Sequence, residues 1–409
     1  MPGVEGFIYP NEFQLQWSVL IVLYPFVTGL VAGAFILASL ERVFNVVSVR
    51  PTYRLALLTA LAFLLVAPLP LQLHLGHPER SFEMYLTPHT RSAMAMFGFV
   101  YLWYLMVVLL LEIWLDYRRE IVLTWKASRG PTRWLYAALA LGADNIGPRA
   151  LKLDDRIGRV VTIIGIPSAF LLHGYVGFIF GSLKANPWWS TPLMPIVFLF
   201  SAMVSGIALV LLLYVGLTLL RRATLDMACV DTIAQYLLYA LLIDFSLEML
   251  DLLHRLYEAD ESLRALDFMV HTRLWWSQVV VQIIAGTVVP IALLGLVQIV
   301  GFARHGRGEA SRSWGVMRHR LLLYVTAASL TLVGIFAMRW NVVIGGQLFS
   351  KSFLGYTVYK LEFATREGLL PSILLLILPF VILAALIKLL PPFDEPGLPG
   401  SGLPADGTH

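Results

Sequence analysis

The sequence predicts an all-α polytopic membrane protein with about nine transmembrane helices, within a range of eight to ten. Hydrophobic residues make up 58% of the 409 positions and charged residues only 14%, whereas a soluble domain carries about 25% charged residues. The mean hydropathy is +0.76. Several uninterrupted apolar runs also exceed the roughly 18 residues that mark a membrane-spanning helix. Together these observations exclude a soluble globular fold.

Nine apolar runs, numbered here as spans 1 to 9, are separated by polar or Pro/Gly-containing connections. They cover residues 17–40, 54–74, 93–115, 158–181, 193–220, 227–253, 274–302, 321–338 and 370–390. The first segment, 1–16, contains Glu5 and Glu12 but no Lys, Arg or apolar core, so we expect an extracytoplasmic segment and no secretory leader. The Pro/Gly-rich tail 391–409 is expected to be disordered and cytoplasmic.

The distribution of Lys and Arg among the connections predicts the orientation in the membrane. Alternate connections carry three, nine, two and five basic residues, and the nine lie between Asp116 and Arg159. The intervening connections carry none, two, one, three and four. Because cytoplasmic loops are enriched in Lys and Arg, we expect the N-terminus outside and the C-terminus inside.

Small residues near the starts of spans 1 and 5 are one indication of an internal repeat. Gly29-x-x-x-Gly33 allows close helix approach, and span 5 carries Ser201, Ser205 and Gly206. Small residues are also common in any packed membrane bundle, so the repeat stays one of two interpretations. With it, two parallel four-helix bundles precede an outer loop and the last helix. The corresponding ranges are 17–181, 193–338 and 339–390.

Span 6 carries four acidic residues, which are the candidates for a proton path. Asp244, Glu248 and Asp251 are spaced i, i+4 and i+7 and share one helix face, while Asp231 lies near the predicted cytoplasmic end. An ionised carboxylate at the bilayer centre costs about 2.5–3.5 kcal/mol on insertion scales, so these side chains must face the interior, water or cations. The alternatives are a structural ion-pair network and a water-exposed helix end. The candidate counter-ions of that network are Arg255 and Arg339.

The turn after span 2 concentrates polar residues at the predicted outer surface. His74 and His77 have three candidate roles: hydrogen bonding to a quinone carbonyl, ligation of a b-type haem, or capping of a helix end. Haem requires axial ligands on facing helices, and His173 is the only plausible helical partner. An imidazole pKa near 6.5 suits proton exchange with a reduced quinone oxygen. Glu79 and Arg80 belong either to the same site or to a local ion pair.

His173 and Tyr175 in span 4 are two residues apart, so their side chains diverge by about 160° and both need not face one cavity. Tyr175 could equally be an interfacial anchor. The lone cysteine, Cys229, cannot hold an iron–sulfur cluster, which takes about four thiolates. We therefore expect no metal site, haem or cluster in this chain, and a diffusible cofactor or a partner subunit for any redox chemistry.

Four parts of the sequence carry a family resemblance. They are Tyr24–Phe35, Leu75–Arg80, His173–Gly177 with the following Asn186–Trp189 and Phe198–Gly206, and Arg339–Gln347. Together they resemble the NrfD/polysulfide reductase C family of quinone-interacting membrane subunits, in its longer form. In the second segment, His77 stands where the family pattern has a basic residue.

The resemblance implies a site for menaquinone or ubiquinone at the outer end of the first bundle. Tyr175 falls at the position of the tyrosine that hydrogen-bonds quinone in one well-described family member. That member also uses a His and an Asn of its first helix, and the matching positions in this chain are Tyr24 and Ile21. His74 or His173 would then supply the imidazole. The quinone-site candidates are Tyr175, His74, His173, Tyr24, His77, Glu79 and Arg80. Proton translocation, proposed for longer members, gives the acids of span 6 a role.

The resemblance also implies partners and a location. Electrons would pass to or from an extracytoplasmic four-cluster ferredoxin-like iron–sulfur subunit, attached to a molybdopterin enzyme or a multihaem cytochrome c subunit. The chain would be one subunit of a quinone-dependent oxidoreductase in a bacterial or archaeal cytoplasmic membrane, surrounded by lipid and without nucleic acid. The predicted landing surface comprises loops 75–92, 254–273 and 339–369.

Two other classes compete with this interpretation. Intramembrane acids and repeated bundles also fit a proton-coupled secondary transporter, and Pro167, Pro195 and Pro290 could kink its helices. Such carriers usually break helices near the midplane, whereas the polar groups here gather toward one face. The other class is a membrane anchor with a vestigial quinone site.

Overall fold

The computed structural model describes most of the chain. The described residues are 15, 17–87, 89, 91, 93–186, 188–258, 267, 269–305, 314–348 and 357–393. Nearly all of the predicted N-terminal segment 1–16 and most of the tail 391–409 lie outside them. So do parts of the predicted landing loops 75–92, 254–273 and 339–369.

Long helices dominate the described residues, and the prediction of an all-α polytopic membrane protein is confirmed. Eight helical stretches within them are long and apolar enough to cross a membrane. These are Val19–Arg42 (span 1), Val47–His74 (span 2), Gly98–Ala127 (span 3), Pro148–Gly181 (span 4), Met194–Leu220 (span 5), Trp275–Val300 (span 7), Met317–Gly345 (span 8) and Leu369–Leu389 (span 9). Span 6, Met227–Glu258, is a helix of 32 residues beside them.

Spans 3 and 4 extend further than their apolar runs predict. The helix Leu110–Ala127 continues span 3 into the basic segment 116–157, and a short helix, Pro131–Leu139, follows it. Gly130 lies in the turn between the two helices and has a φ of 68°, a conformation that favours glycine. The charges on this segment pair between helices, as in the ion pair of Arg54 with Asp116 at 2.7 Å.

Span 1 forms the core of the molecule and is buried along almost its whole length. It packs against spans 2, 4, 5 and 8. Its closest approach is to span 5, where Gly33 lies against the backbone of Ala202 and Gly206 so tightly that a Cβ atom would overlap them. The small residues of the two spans therefore face each other. The division into two bundles at 17–181 and 193–338 stays a prediction.

Within the described residues, three π-helical segments interrupt the spans: Tyr104–Leu109 in span 3, Trp275–Val288 in span 7 and Asn341–Gly345 in span 8. Segments of this kind widen a helix and are frequent at functional sites. The second and third carry the amide side chains of the cavity described next.

Candidate functional site

Spans 5 to 8 enclose a cavity of about 540 Å³ at the end of the molecule where span 6 finishes and span 7 begins. Its walls are mostly apolar and include Met194, Val197 and Ile283. Leu252 and Leu256, which also line it, are 47% and 51% exposed, so the cavity opens to the surface of the bundle.

A chain of polar side chains forms one wall of the cavity. The Nε2 atom of Gln282 donates to both carboxylate oxygens of Glu248, at 3.2 and 3.3 Å. The Oε1 atom of Gln282 in turn accepts a hydrogen bond from Asn341 at 2.8 Å. Two buried acceptors on this wall, Oδ1 of Asn341 and Oε1 of Gln278, have no hydrogen-bond partner among the described residues. The wall therefore offers unused hydrogen-bonding capacity to a ligand.

Asp251 lies closer to the cavity rim in a fully formed ion pair. It accepts hydrogen bonds from Thr191 at 2.5 Å and from Nε of Arg255 at 2.8 Å. Arg255 also donates to the backbone carbonyl of Trp188 at 3.0 Å. For Asp251, the ion pair with Arg255 that the sequence offered as an alternative is present, and it ties span 6 to the turn before span 5.

Asp244 lies one helical turn deeper than Glu248 and is 3% exposed. Its Oδ1 atom is buried without a hydrogen-bond partner in the described part of the chain. Asp244 and Glu248 both interact electrostatically with Arg339, although no described carboxylate lies within 4.0 Å of that guanidinium. A buried positive charge thus compensates two buried acids at longer range.

Arg339 is fully buried in span 8 and held by neutral groups. It donates to Ser201 Oγ at 2.6 Å and to His173 Nε2 at 3.1 Å. Its guanidinium carbon also lies 4.0 Å from the ring centroid of Phe198, a cation–π contact. From the sequence, Arg339 was only one candidate counter-ion, whereas the structure gives it contacts with spans 4 and 5.

Hydrogen-bond donors and acceptors fix the state of His173. Arg339 can only donate, so Nε2 of His173 must accept and the ring proton must be on Nδ1. That Nδ1 atom lies 3.3 Å from Oγ1 of Thr28, which donates in turn to the carbonyl of Tyr24 at 2.9 Å. His173 is therefore neutral in this arrangement, with both ring nitrogens engaged and neither available to a haem iron.

Tyr24 and Tyr175, two of the predicted quinone ligands, lie close enough for their phenol groups to interact electrostatically. Tyr24 is 5% exposed and Tyr175 is partly buried. The backbone carbonyl of Tyr24, not its phenol, is linked through Thr28 to His173, the third predicted ligand. The structure thus brings the phenols of Tyr24 and Tyr175 near each other, whereas the imidazole of His173 is engaged by Thr28 and Arg339.

The other four predicted ligands lie at the end of span 2, where His74 is the last residue, and in the surface turn that follows it. His74 contacts Glu367 at 2.9 Å, from the connection before span 9. His77 contacts Glu79 at 3.0 Å, and both are exposed. Backbone and His77 hydrogen bonds hold the pKa of the Glu79 carboxyl below its usual value.

Arg80, the last of the four, pairs with Glu83 at 2.8 Å and not with its neighbour Glu79. The contacts of this turn are local or reach the connection before span 9.

Asp231 occupies the opposite end of span 6, in contact with Arg320 at 2.5 Å and the hydroxyl of Tyr324 at 2.9 Å. It is separated from Asp244 by about 20 Å of helix. Thr331 lies between Tyr324 and Arg339 on span 8, and its buried hydroxyl has no partner among the described residues. Asp231 therefore stands apart from the cavity acids.

Gln278, Gln282 and Thr191 were not predicted from the sequence, where chiefly the ionisable groups stood out. A signal was present, since Gln278 and Gln282 interrupt an apolar run at a spacing of one helical turn. Glu112, a fully buried acid within the apolar run of span 3, was not predicted either.

Comparison with known proteins identifies similar sequences. The chain matches the family model described as polysulphide reductase, NrfD, over residues 10–307. It is 34% identical over 205 residues to a selenate reductase subunit of Mesobacillus selenatarsenatis, covering 49% of this chain and 48% of the relative. It is 30% identical over 204 residues to a putative dimethyl sulfoxide reductase membrane subunit of Halobacterium salinarum, covering 48% and 42%.

Protein NrfD of Escherichia coli is 28% identical over 202 residues, covering 49% of this chain and 59% of the relative. In all three comparisons the match spans about half the length of the relative.

Proposed function

Because this chain belongs to the NrfD (polysulphide reductase) family, we propose that it is the quinone-binding membrane subunit of a respiratory oxidoreductase. It would exchange electrons between menaquinone or ubiquinone in the bilayer and an extracytoplasmic four-cluster ferredoxin-like iron–sulfur subunit. A molybdopterin enzyme or a multihaem cytochrome c subunit would complete the complex. The names of two relatives, a membrane subunit of a dimethyl sulfoxide reductase and a subunit of a selenate reductase, support this assignment.

The observation that carries the proposal is the cavity between spans 5 to 8. Its volume of about 540 Å³ falls within the range of roughly 300–1,000 Å³ typical of small-molecule sites. Its lining combines apolar walls with a few polar groups, which suits an aromatic head group that carries two oxygens. It opens between partly exposed leucines of span 6, so a hydrophobic ligand can enter from the side.

The unpartnered amide oxygens make the cavity fit a quinol in particular. Oδ1 of Asn341 and Oε1 of Gln278 can accept hydrogen bonds from quinol hydroxyl groups. The same amides can donate through their NH2 groups to the carbonyl oxygens of the oxidised form. These residues would bind and orient the head group, and Met194, Val197 and Ile283 would exclude water around it.

Glu248 is the residue we assign to proton transfer. A quinol releases electrons and protons when it is oxidised. Its site therefore needs a base that accepts a proton from the quinol and passes it on to another group. Glu248 lies in the cavity wall, is oriented by Gln282 and has Asp244 one turn deeper on the same helix face. Arg339 stabilises the ionised form of either acid through its buried charge. Asp251 is held in an ion pair by Arg255 and would keep the side chains at the cavity rim in position.

Asp231 is proposed as the exit of the same proton route. Tyr324 and Thr331 lie along span 8 in the interval between Asp231 and Arg339, and each carries a hydroxyl group that can pass on a proton. Water molecules would have to complete the remaining distance, because the carboxylates at the two ends are about 20 Å apart.

A second position for the quinone head group is the pair of phenols at Tyr24 and Tyr175. It is supported by the family resemblance and by the interaction of the two phenols. It differs from the cavity in its supporting helices, since it uses spans 1 and 4. His74, His77, Glu79 and Arg80 would then belong to the landing surface of the iron–sulfur partner, on the face predicted to be extracytoplasmic.

A binding titration separates these two positions. The purified chain is titrated with a fluorescent quinol-analogue inhibitor, and quenching is compared for Gln278→Leu, Tyr175→Phe and the control Gln235→Leu, which lies on span 6 outside the cavity. We expect saturable quenching in the wild type and the control, and an affinity about two- to tenfold weaker in Gln278→Leu, the size of one lost hydrogen bond to a ligand. A loss confined to Tyr175→Phe would move the site to spans 1 and 4.

Absence of saturable quenching would contradict quinone binding altogether. If partner subunits still copurify, the chain is an anchor; if none do, the proton-coupled transporter becomes the better explanation.

A further inference from the structure

Glu112 is a fully buried acid in span 3 that the quinone proposal does not use. It contacts side chains of spans 2 and 4, whereas the cavity lies between spans 5 to 8. Its Oε1 atom accepts a hydrogen bond from the hydroxyl of Tyr53 at 3.1 Å and lies 2.6 Å from Oγ1 of Thr162. Its Oε2 atom is buried and has no hydrogen-bond partner in the described part of the chain.

No nitrogen of a described basic side chain lies within 4.0 Å of the Glu112 carboxylate. An ionised carboxylate there has no counter-ion in contact, since Arg42 acts on it only at longer range, and one of its oxygens is buried without a hydrogen-bond donor. This combination is costly inside a membrane. The environment is therefore built from hydroxyl groups, which can stabilise a carboxyl group with or without its proton.

The hydrogen bonds of Thr162 show how a proton on the Glu112 carboxyl group can be accommodated. Its single hydroxyl hydrogen has two acceptors within reach: Oε1 of Glu112 at 2.6 Å and the carbonyl of Gly158 at 2.9 Å. With Glu112 ionised, Thr162 donates to it and the Gly158 contact is lost. With Glu112 protonated, Glu112 donates to Thr162, and Thr162 donates to Gly158, as helical threonines commonly do. Each contact has a hydrogen of its own only in the protonated state.

We infer that Glu112 is a proton-binding site, separate from the acids of span 6, that exchanges its proton with the end of the bundle carrying the basic segment 116–157. The change of state needs only rotation of hydroxyl hydrogens, because every heavy atom is already at hydrogen-bonding distance. The inference does not rest on quinone binding, since Glu112 does not line the cavity.

The surroundings of Glu112 provide a route on either side. One helical turn toward the basic segment, Asp116 pairs with Arg54 at 2.7 Å and with Arg42 at 3.4 Å, in a layer that is partly exposed. In the other direction lies Tyr104, whose buried hydroxyl has no partner among the described residues and which interacts electrostatically with Glu112. Tyr104 begins the π-helical segment of span 3. The titratable groups around the site are Arg42 (span 1), Tyr53 and Arg54 (span 2), Tyr104 and Asp116 (span 3) and Asp155 (span 4).

Infrared spectroscopy of the full chain in lipid nanodiscs tests the inference directly. The spectrum of Glu112→Gln is subtracted from that of the wild type, so that bands from Asp244 and Glu248 cancel. We expect a C=O stretching band of a protonated carboxyl group that shifts to lower frequency in D2O and disappears at alkaline pH. The control is Glu120→Gln, on the same helix but partly exposed and paired with Arg54, whose difference spectrum should lack this band.

A second pair of variants keeps Glu112 in place and therefore does not depend on the folding of Glu112→Gln. Thr162→Val removes the hydroxyl that contacts the carboxyl group, and the band should shift to higher frequency. Thr59→Val is the matched control, because Thr59 is equally buried and donates to the carbonyl of Leu55 at 2.7 Å, away from Glu112. A wild-type band that is missing at every pH would overturn the inference and make Glu112 a permanently ionised structural group. A band that Thr162→Val leaves unchanged would also overturn it, because the proton would then not be held in the arrangement with Thr162.

Discussion

Arg339 of span 8 donates a hydrogen bond to Nε2 of His173 in span 4 across 3.1 Å, although the two residues are 166 positions apart. Both are fully buried. Because a guanidinium group only donates, this contact fixes the tautomer of the imidazole. It also holds a positive charge in the interior, within electrostatic reach of Asp244 and Glu248. The charge and the shape of Arg339 thus have separable roles, which substitutions can distinguish.

Arg339→Met should destabilise the chain strongly. It removes the charge that compensates Asp244 and Glu248, and breaking such buried compensation typically costs about 3–5 kcal/mol. Arg339→Lys keeps the charge but loses the planar donor group that contacts His173 and Ser201, so its loss should be smaller. Unfolding in detergent, followed by tryptophan fluorescence, measures both. Arg80→Met, an exposed control, should leave the midpoint unchanged, and equal midpoints for all three variants would show that Arg339 has no compensating role.

Glu248→Gln should slow quinol oxidation without disturbing inhibitor binding. The amide retains the shape of the side chain and can still accept from Gln282, but it cannot take a proton. Loss of a general base usually lowers turnover by about 10²–10⁴-fold. The measurement is quinol-dependent turnover of the assembled complex, with Glu120→Gln of span 3 as the control acid. Wild-type turnover in Glu248→Gln would remove Glu248 from the proton route.

The helical architecture follows from the sequence because the bilayer imposes one physical requirement on every span. Apolar runs of membrane length predict helices at these positions, and an i, i+4, i+7 pattern places three acids on one face of span 6. Pairing between spans is different, because hydropathy does not specify which polar group faces which neighbour. His74 pairs with Glu367, 293 positions away, and Arg80 pairs with Glu83 and not with its neighbour.

The cavity illustrates the same limit. Gln282 and Asn341 lie in separate spans, and their contact depends on π-helical segments that alter the register of both. A prediction based on the regular α-helix, with 3.6 residues per turn, does not include such a shift. No sequence pattern therefore placed these amides beside Glu248. Arg339 was predictable as a counter-ion by charge, but its contact with His173 depends on how spans 4, 5 and 8 meet.

Gly33→Ala should destabilise the packing of span 1 against span 5. The added Cβ atom would overlap the backbone of Ala202 and Gly206, and overpacking of this kind costs about 1–3 kcal/mol. Gly216→Ala is the matched control in span 5, since nothing lies within 4 Å of the position of its Cβ atom. It should be neutral or gain up to about 1 kcal/mol from improved helix propensity. If the unfolding midpoints of the two variants shift by the same amount, the close approach of span 1 to span 5 at Gly33 is contradicted.

Asp231→Asn should separate electron transfer from proton translocation. Asp231 lies about 20 Å along span 6 from Asp244, so its loss leaves the cavity and Glu248 intact. Its contacts with Arg320 and Tyr324 can be retained in part by the amide oxygen, but the amide cannot relay a proton. In liposomes that contain the assembled complex and a pH-sensitive dye, we expect quinol oxidation at the wild-type rate with proton transfer across the membrane abolished. Asn341→Leu should instead impair quinol oxidation itself, because Asn341 lines the cavity. If Asp231→Asn liposomes acidify like the wild type, Asp231 is only the structural partner of Arg320, and protons leave Glu248 by another path.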